Sequence, residues 1–104
     1  MASDVNVGNN PERNRYEARI DGKIVGTAEY QLTSQLIVFT HTEVNRAYEG
    51  QGIGSALAQF ALEDVRAQGT HKVLPLCPFI KAWIAGHSDF IPLVFGPPAS
   101  NVRD

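Results

Sequence analysis

The sequence predicts a mixed α/β domain: a three-stranded antiparallel meander, a helix, a fourth strand parallel to the third, and a final helix. Three observations lead there. Between residues 16 and 44, short runs rich in β-branched and aromatic residues are separated by turn residues. A glycine cluster then opens a run whose apolar residues recur at helical spacing. A short apolar run follows that helix directly, and strand–helix–strand is a crossover unit with parallel strands and a right-handed connection. With 104 residues, 43 % apolar and 19 % charged, the chain is one ordinary globular domain with a modest core.

Each element has its own warrant. Residues 1–15 are polar, rich in Asn and without periodicity, and read as a flexible arm. Tyr16 to Ile20 is the first strand. Asp21-Gly22 follows, a pair that tolerates positive φ in a two-residue hairpin. Lys23 to Leu32 returns, with Ile24, Gly26, Ala28 and Tyr30 on one face and Val25, Thr27 and Glu29 on the other. Thr33-Ser34-Gln35 turns the chain into the third strand, Leu36 to Val44. The helix is expected from about Gln51 to Gln68, with an apolar stripe of Ile53, Leu57, Phe60, Ala61 and Val65. Gly69 stands where a helix C-terminal glycine belongs. Lys72 to Cys77 is the fourth strand. Its Pro75 cannot donate to a ladder, which suits a point where two strands part. Pro78 fits the first turn of a last helix running to about Gly86. The domain is thus expected over 16–95, and Gly96 to Asp104, with Pro97-Pro98, as a loose tail.

Composition excludes several functions. A net charge of −2 argues against general affinity for nucleic acid or an anionic membrane, which needs clustered Lys and Arg. No apolar run is long enough to span a bilayer, and the N-terminus has no basic segment followed by an apolar one. The single cysteine, Cys77, cannot form an intramolecular disulfide, so a cytoplasmic setting is expected. His71, His87 and Cys77 lack metal-ligand spacing.

The segment that carries chemistry is Glu49-Gly50-Gln51-Gly52-Ile53-Gly54-Ser55-Ala56-Leu57. Its alternating glycines lie between a strand and the first turn of a helix. Glycines allow a tight turn and close approach of the backbone. The N–H groups of a first helical turn have no internal partners, and with the helix dipole they favour an anion. The phosphate loop of nucleotide hydrolases needs Gly-Lys-Ser/Thr, which is absent, and the dinucleotide fingerprint needs G-x-G-x-x-G. Here the spacing is G-x-G-x-G after an antiparallel meander. On these residues alone, a phosphate site and a simple packing turn stand side by side.

Gln51-Gly52-Ile53-Gly54 followed by Ser55-Ala56-Leu57 resembles the cofactor motif of GCN5-related N-acetyltransferases, written R/Q-x-x-G-x-G/A. His41-Thr42-Glu43-Val44 before it and Val73-Leu74-Pro75-Leu76-Cys77-Pro78-Phe79 after it resemble the very small YjdJ-type branch of that superfamily. His87-Ser88-Asp89-Phe90 resembles the branch's H-P-x-Y/F ending, and the likeness covers Tyr16 to Val94. The resemblance implies acetyl-CoA as cofactor, with the pyrophosphate of coenzyme A on Gly50, Gln51, Gly52, Ile53, Gly54 and Ser55. It places the pantetheine arm along Thr42 and Val44, where a backbone N–H polarises the thioester carbonyl. It implies an amine acceptor of unknown identity. The two helices that cover the acceptor in larger relatives are missing, so the acceptor site is open or completed by a second protomer, in a monomer or a homodimer. Three positions depart from the pattern. Glu49 replaces Arg or Gln, Ser88 replaces proline, and the last helix carries Phe79 and Trp83 in place of the usual tyrosine acid.

Acetyl transfer needs a deprotonated amine. His41 and Glu43 are of suitable type beside the cofactor strand, and alternation puts both on one face. A hydrogen-bonded structural histidine and a solvated or capping carboxylate are equally open readings. Cys77 precedes Pro78, so it caps the last helix, whose N-terminus favours a reactive thiolate. It then either takes the acetyl group and passes it on or lines the thioester pocket, and a buried, small apolar role stands beside both. An alternative to the enzyme as a whole is a non-catalytic acyl-CoA-binding module.

Overall fold

A computed structural model describes residues 4–96, so the tail expected from Gly96 onward lies outside the described residues beyond its first member. The strands are β1 Asn6–Asn10, β2 Arg15–Ile20, β3 Lys23–Leu32, β4 Leu36–Val44 and β5 Lys72–Pro75. They form one sheet in sequence order, antiparallel from β1 to β4 and parallel between β4 and β5. Helix α1, Ile53–Gln68, connects β4 to β5, and α2, Pro78–Ala85, follows β5. A 3-10 turn, Ser88–Leu93, then brings Val94 beside Val73 in a parallel bridge, covering part of the β5 edge.

The meander therefore has four strands where the sequence pointed to three. Residues 6–10 lack β-branched runs, but they pair with β2 from Asn6↔Arg19 to Asn10↔Arg15. Two side-chain bonds fasten the strand: Tyr30 Oη donates to Asn9 Oδ1 at 2.7 Å, and Asn10 Nδ2 to Glu17 Oε2 at 3.1 Å. Val5 and Val7 pack against the core. The arm expected over residues 1–15 is thus an edge strand and a turn from its sixth residue, held by tertiary pairing rather than by propensity. Asn14, at φ 54°, closes the turn in the left-handed conformation that Asn tolerates.

Other expectations hold with small shifts. Asp21 and Gly22 take φ 52° and 79°, as the hairpin requires. Helix α1 starts at Ile53, two residues later than expected, because Gly52 is its N-cap in the left-handed region at φ 80°. Gly69 ends it at φ 70°, donating its N–H to Val65 O at 3.1 Å. The buried stripe of α1 is Ile53, Leu57, Ala58, Ala61, Leu62 and Val65, whereas Phe60 is 38 % exposed and lies edge-on to Tyr16. Strand β5 ends at Pro75 rather than Cys77, and Cys77 caps α2 with Pro78 in its first turn.

One hydrophobic core lies on one face of the sheet. Tyr16, Ala18, Ala28, Tyr30, Ile37, Phe39 and Val73 come from the strands and meet α1, and Ile80, Trp83 and Ile84 of α2 join the same cluster. Val25 is also buried, against the expected alternation. Ala18 pairs with Gly26 and Arg19 with Ile24, so Val25 is an extra residue that bulges into the core. The opposite face carries polar groups. There Glu17 is 6 % exposed and accepts from Arg15 Nε at 2.8 Å and Arg19 Nη2 at 2.9 Å. These partners hold its carboxyl at about 2, well below the ordinary carboxylate value. On the core side, Tyr16 donates its hydroxyl to Asp64 at 2.7 Å, and burial first, then this bond, push its pKa up.

Candidate functional site

The site begins where β4 and β5 part. Their parallel pairing runs from Leu36↔Lys72 to Phe39↔Pro75 and stops. Phe39 O accepts the N–H groups of both Leu76 and Cys77, at 3.0 and 2.9 Å, and the chain then turns into α2. Strand β4 continues alone on that side to Val44.

A second bulge sets what this free stretch presents. Across β3 and β4, Tyr30 pairs with Phe39 and Glu29 with His41, so Thr40 is an extra residue. Before it, Ile37 and Phe39 point into the core, at 4 % and 0 % exposure. After it the inward positions are Thr42 and Val44, and His41 and Glu43 face out. Asn45 donates its N–H to Val25 O at 2.7 Å. By alternation, the N–H groups of Thr42 and Val44 point away from β3, into the gap that β5 leaves.

Cys77 closes the far side of that gap. Its side chain is 4 % exposed, and its Sγ lies 3.3 Å from Thr42 Oγ1. Thr42 and Val44 are about 7 Å apart on one face of β4. Val44 in turn lines an open pocket of ≈ 350 Å³ with Tyr48, Glu49, Gly50, Gly52, Ile53, Gly54, Ser55, Phe79 and Trp83. The turn into this pocket is well specified. Asn45 caps the 3-10 turn Arg46–Tyr48 by accepting from Ala47 N at 2.9 Å, and Gly50 and Gly52 then take φ 84° and 80°. The first bond of α1 is Ala56 N–H to Gly52 O, at 3.0 Å. The N–H groups of Ile53, Gly54 and Ser55 precede it, and Gly52 has no side chain to cap them.

The glycines divide the work. A Cβ at Gly50 or Gly52 would meet nothing within 4 Å, so their role is the left-handed backbone. A Cβ at Gly54 would lie 2.9 Å from the Phe79 ring, so this glycine lets α2 close over the start of α1. Gly26 does the same beneath α1, where a Cβ would lie 2.9 Å from Ile53 Cγ2 and 3.2 Å from Glu43 O.

The structure thus brings together most of the residues the sequence singled out. Val44, Gly50, Gly52, Ile53, Gly54 and Ser55 line one pocket, Gln51 is an exposed residue between its glycines, and Thr42 meets Cys77. His41 and Glu43 stand apart from the pocket. Their side chains are 59 % and 73 % exposed on the other face of β4, with His41 Nε2 3.8 Å from Glu43 Oε1. Tyr48, Phe79 and Trp83 complete the pocket. Tyr48 brings a phenol to the site from the turn before α1, although α2 carries no tyrosine. Its place just before the glycine loop was the available signal. Among the described residues no group of three or more His, Cys, Asp or Glu is placed to hold a metal, and no helix is long and apolar enough to cross a membrane.

This donor set fits coenzyme A. A row of uncapped N–H groups suits a pyrophosphate, an apolar pocket lies beside it, and backbone donors face a gap where two parallel strands separate.

Comparisons with known proteins agree. A search of curated proteins finds no match by sequence. Among solved structures, a GCN5-like candidate N-acetyltransferase from Staphylococcus aureus superposes with a TM-score of 0.69 at 18 % identity, covering 98 % of this chain and 99 % of that one. The ribosomal-protein-S18-alanine N-acetyltransferase of Escherichia coli aligns at TM-score 0.53 and 16 % identity, over 70 % of this chain and 42 % of that one. A ribosomal-protein-alanine N-acetyltransferase from Brucella melitensis aligns at 0.55 and 18 %, over 81 % of this chain and 63 % of that one. The chain therefore spans less than two thirds of the length of those two proteins. At these identities the structures share the fold, and the family profile described as GCN5-related N-acetyl-transferase matches residues 15–93. The chain belongs to the GCN5-related N-acetyltransferase family.

Proposed function

We propose that the protein moves an acetyl group from acetyl-CoA to an amine acceptor, using the gap between β4 and β5 as the reaction site. The observation that carries this reading is the continuity along β4. The uncapped start of α1, the pocket, the gap-facing N–H groups of Thr42 and Val44, and the Cys77 thiol follow one another along it. Bound acetyl-CoA supplies an activated acetyl thioester. The N–H groups of Ile53, Gly54 and Ser55 hold its pyrophosphate, and those of Thr42 and Val44 stabilise negative charge at an acyl oxygen in the gap. Val44, Phe79 and Trp83 exclude water from the apolar part of the pocket. His41 and Glu43 face the opposite side of β4, which suits an acceptor entering from the uncovered face of the sheet, where either accepts the amine proton.

Cys77 lies buried against Thr42, whose hydroxyl orients the thiol at the gap. Two routes follow. In one, Cys77 Sγ takes the acetyl group as the CoA–acetyl bond breaks and the thiol proton passes to the departing CoA sulfur. The amine then takes the acetyl group as the Cys77–acetyl bond breaks, and a proton from the amine, passed through His41 or Glu43, restores the Cys77 thiol. In the other, the amine attacks the thioester directly and Cys77 only lines the pocket. Mass spectrometry after incubation with acetyl-CoA separates them: the covalent route adds one acetyl mass to the wild type and none to Cys77→Ser. The overall reading is tested by release of free CoA thiol with small amines, lysine peptides and peptides beginning with alanine. CoA binding without release from any acceptor would leave the binding-module alternative.

A further inference from the structure

The pocket is lined by the Ser55 hydroxyl, whose oxygen is held by a neighbouring side chain. Trp83 donates its Nε1–H to Ser55 Oγ at 2.9 Å. An indole nitrogen only donates, so the Ser55 oxygen accepts and its own hydrogen must point elsewhere. Among the described residues, the bond from Trp83 is the hydrogen bond that Ser55 Oγ makes. Ser55 is exposed, is the third residue of α1 and lines the pocket, so its free direction is into the pocket.

Trp83 is itself fixed in place. It is 8 % exposed, its ring stacks on the His87 imidazole at 3.6 Å and 7°, and it packs against Phe90 at 5.5 Å. His87 Nδ1 lies 2.7 Å from the Trp83 carbonyl. A carbonyl only accepts, so Nδ1 carries the hydrogen, and this bond holds the stacked pair together.

We infer that Trp83 is a positioning residue for coenzyme A: its indole N–H turns the Ser55 hydroxyl into a donor aimed at the pyrophosphate. The hydroxyl then adds to the backbone N–H groups of Ile53, Gly54 and Ser55. This inference rests on the acetyl-CoA reading above. A phenyl ring at residue 83 would fill the same space, but Ser55 would be free to turn its hydrogen back to a carbonyl of the preceding turn, as serine in helices does.

The test is calorimetric titration of coenzyme A, and separately of pantetheine, which has no phosphate, into the wild type and variants. Trp83→Phe should weaken coenzyme A binding about three- to tenfold, and Ser55→Ala about tenfold. Ser55→Thr, which keeps the hydroxyl, should stay near the wild type. The double variant should lose no more than Ser55→Ala alone, because both changes remove one donor. Pantetheine affinity should change far less than coenzyme A affinity in all of them. Multiplying losses in the double variant, equal losses for pantetheine, or unchanged coenzyme A binding by Trp83→Phe would each overturn the inference alone. A wild type that binds no coenzyme A overturns it together with the acetyl-CoA reading. Should Trp83→Phe fail to fold, the emission of Trp83, the only tryptophan, takes over as the readout. Coenzyme A should then shift that emission in the wild type and Ser55→Thr at similar concentrations and in Ser55→Ala only at about tenfold higher ones, and a Ser55→Ala midpoint equal to the wild type would sink the idea.

Discussion

Glu17 shows how one side chain ties stability to pH. It sits under the open face of the sheet between Arg15 and Arg19, and its carboxyl is held at about 2. The shift is downward from an ordinary 4.5, so the stabilisation is complete above about 4.5 and is lost as pH falls towards 2. Arg19 is 44 % exposed, so solvent discounts the effect, which is on the order of 2 kcal/mol at neutral pH. Glu17→Gln should therefore melt several degrees below the wild type at pH 7. The gap between the two should close between pH 4.5 and 2, and melting curves across that range check it. A gap that stays constant with pH would mean that packing, not charge, sets the difference. None of this was visible in the sequence, because the Arg-x-Glu-x-Arg spacing has meaning only on a face left open by both helices. Cys77 is the contrary case. Its position before Pro78 marked it as the N-cap residue of α2, and it holds that place, with its thiol turned to Thr42 rather than to the helix N–H groups.

At the scale of elements, the close approach of α1 to β3 explains why the start of the helix is where it is. Gly26→Ala would drive a Cβ into Ile53, Leu57 and the Glu43 carbonyl, and the backbone carbonyl cannot swing aside. Such overpacking costs about 1–3 kcal/mol. Gly54→Ala meets only the Phe79 ring, which is 42 % exposed and free to move outward. Replacing a helical glycine by alanine also gains up to about 1 kcal/mol of helix propensity. Denaturant midpoints should therefore fall clearly for Gly26→Ala and little for Gly54→Ala, while both weaken acetyl-CoA binding at the displaced helix start. The opposite ranking would reject this account of the packing. The elements legible in the sequence were those with strong local signals: the Asp-Gly hairpin, the periodic α1, and Pro78 opening α2. Strand β1 was not among them, since Asn-Val-Gly-Asn-Asn has little strand preference and is held by Tyr30 and Glu17 from other strands. Only the spacing of Val5 and Val7 hinted at it.

For the whole molecule, the main fact is that both helices cover one face of a five-stranded sheet and contribute to a single core. A domain of this size has little stability in reserve. A ligand that binds only the folded state stabilises by mass action, about 2.7 kcal/mol at a hundred times its dissociation constant. For a domain of roughly this length, that raises the melting temperature by roughly 10–20 °C. Acetyl-CoA should produce such a rise, and dephospho-CoA most of it, because the proposed site puts the pyrophosphate at the start of α1. No change at millimolar acetyl-CoA would remove the cofactor reading. The glycine loop of the site was legible because its chemistry is local: backbone freedom followed by a helix start. Alternation put His41 and Glu43 on one face of β4, but that Thr42 on the other face meets Cys77 was not legible, because the bulge at Thr40 decides which face is inward.

That register has a consequence for how β4 tolerates change. Thr40 acts as a phase slip in a wave of period two, so residues before it and after it are read on opposite beats. Deleting Thr40 would restore a continuous wave and leave the two sets beyond it in place, because His41 would take the outward position next to Phe39. His41 and Glu43 would still face out, and Thr42 and Val44 would still face in. Deleting Thr40 should therefore be far less damaging than deleting Val38, which would set Ile37 and Phe39 on opposite faces, and circular dichroism of the two variants should show the native fold kept only in the first. At a regular position of the strand, by contrast, one residue's worth of chain length decides which side of the sheet is oily and which is chemical.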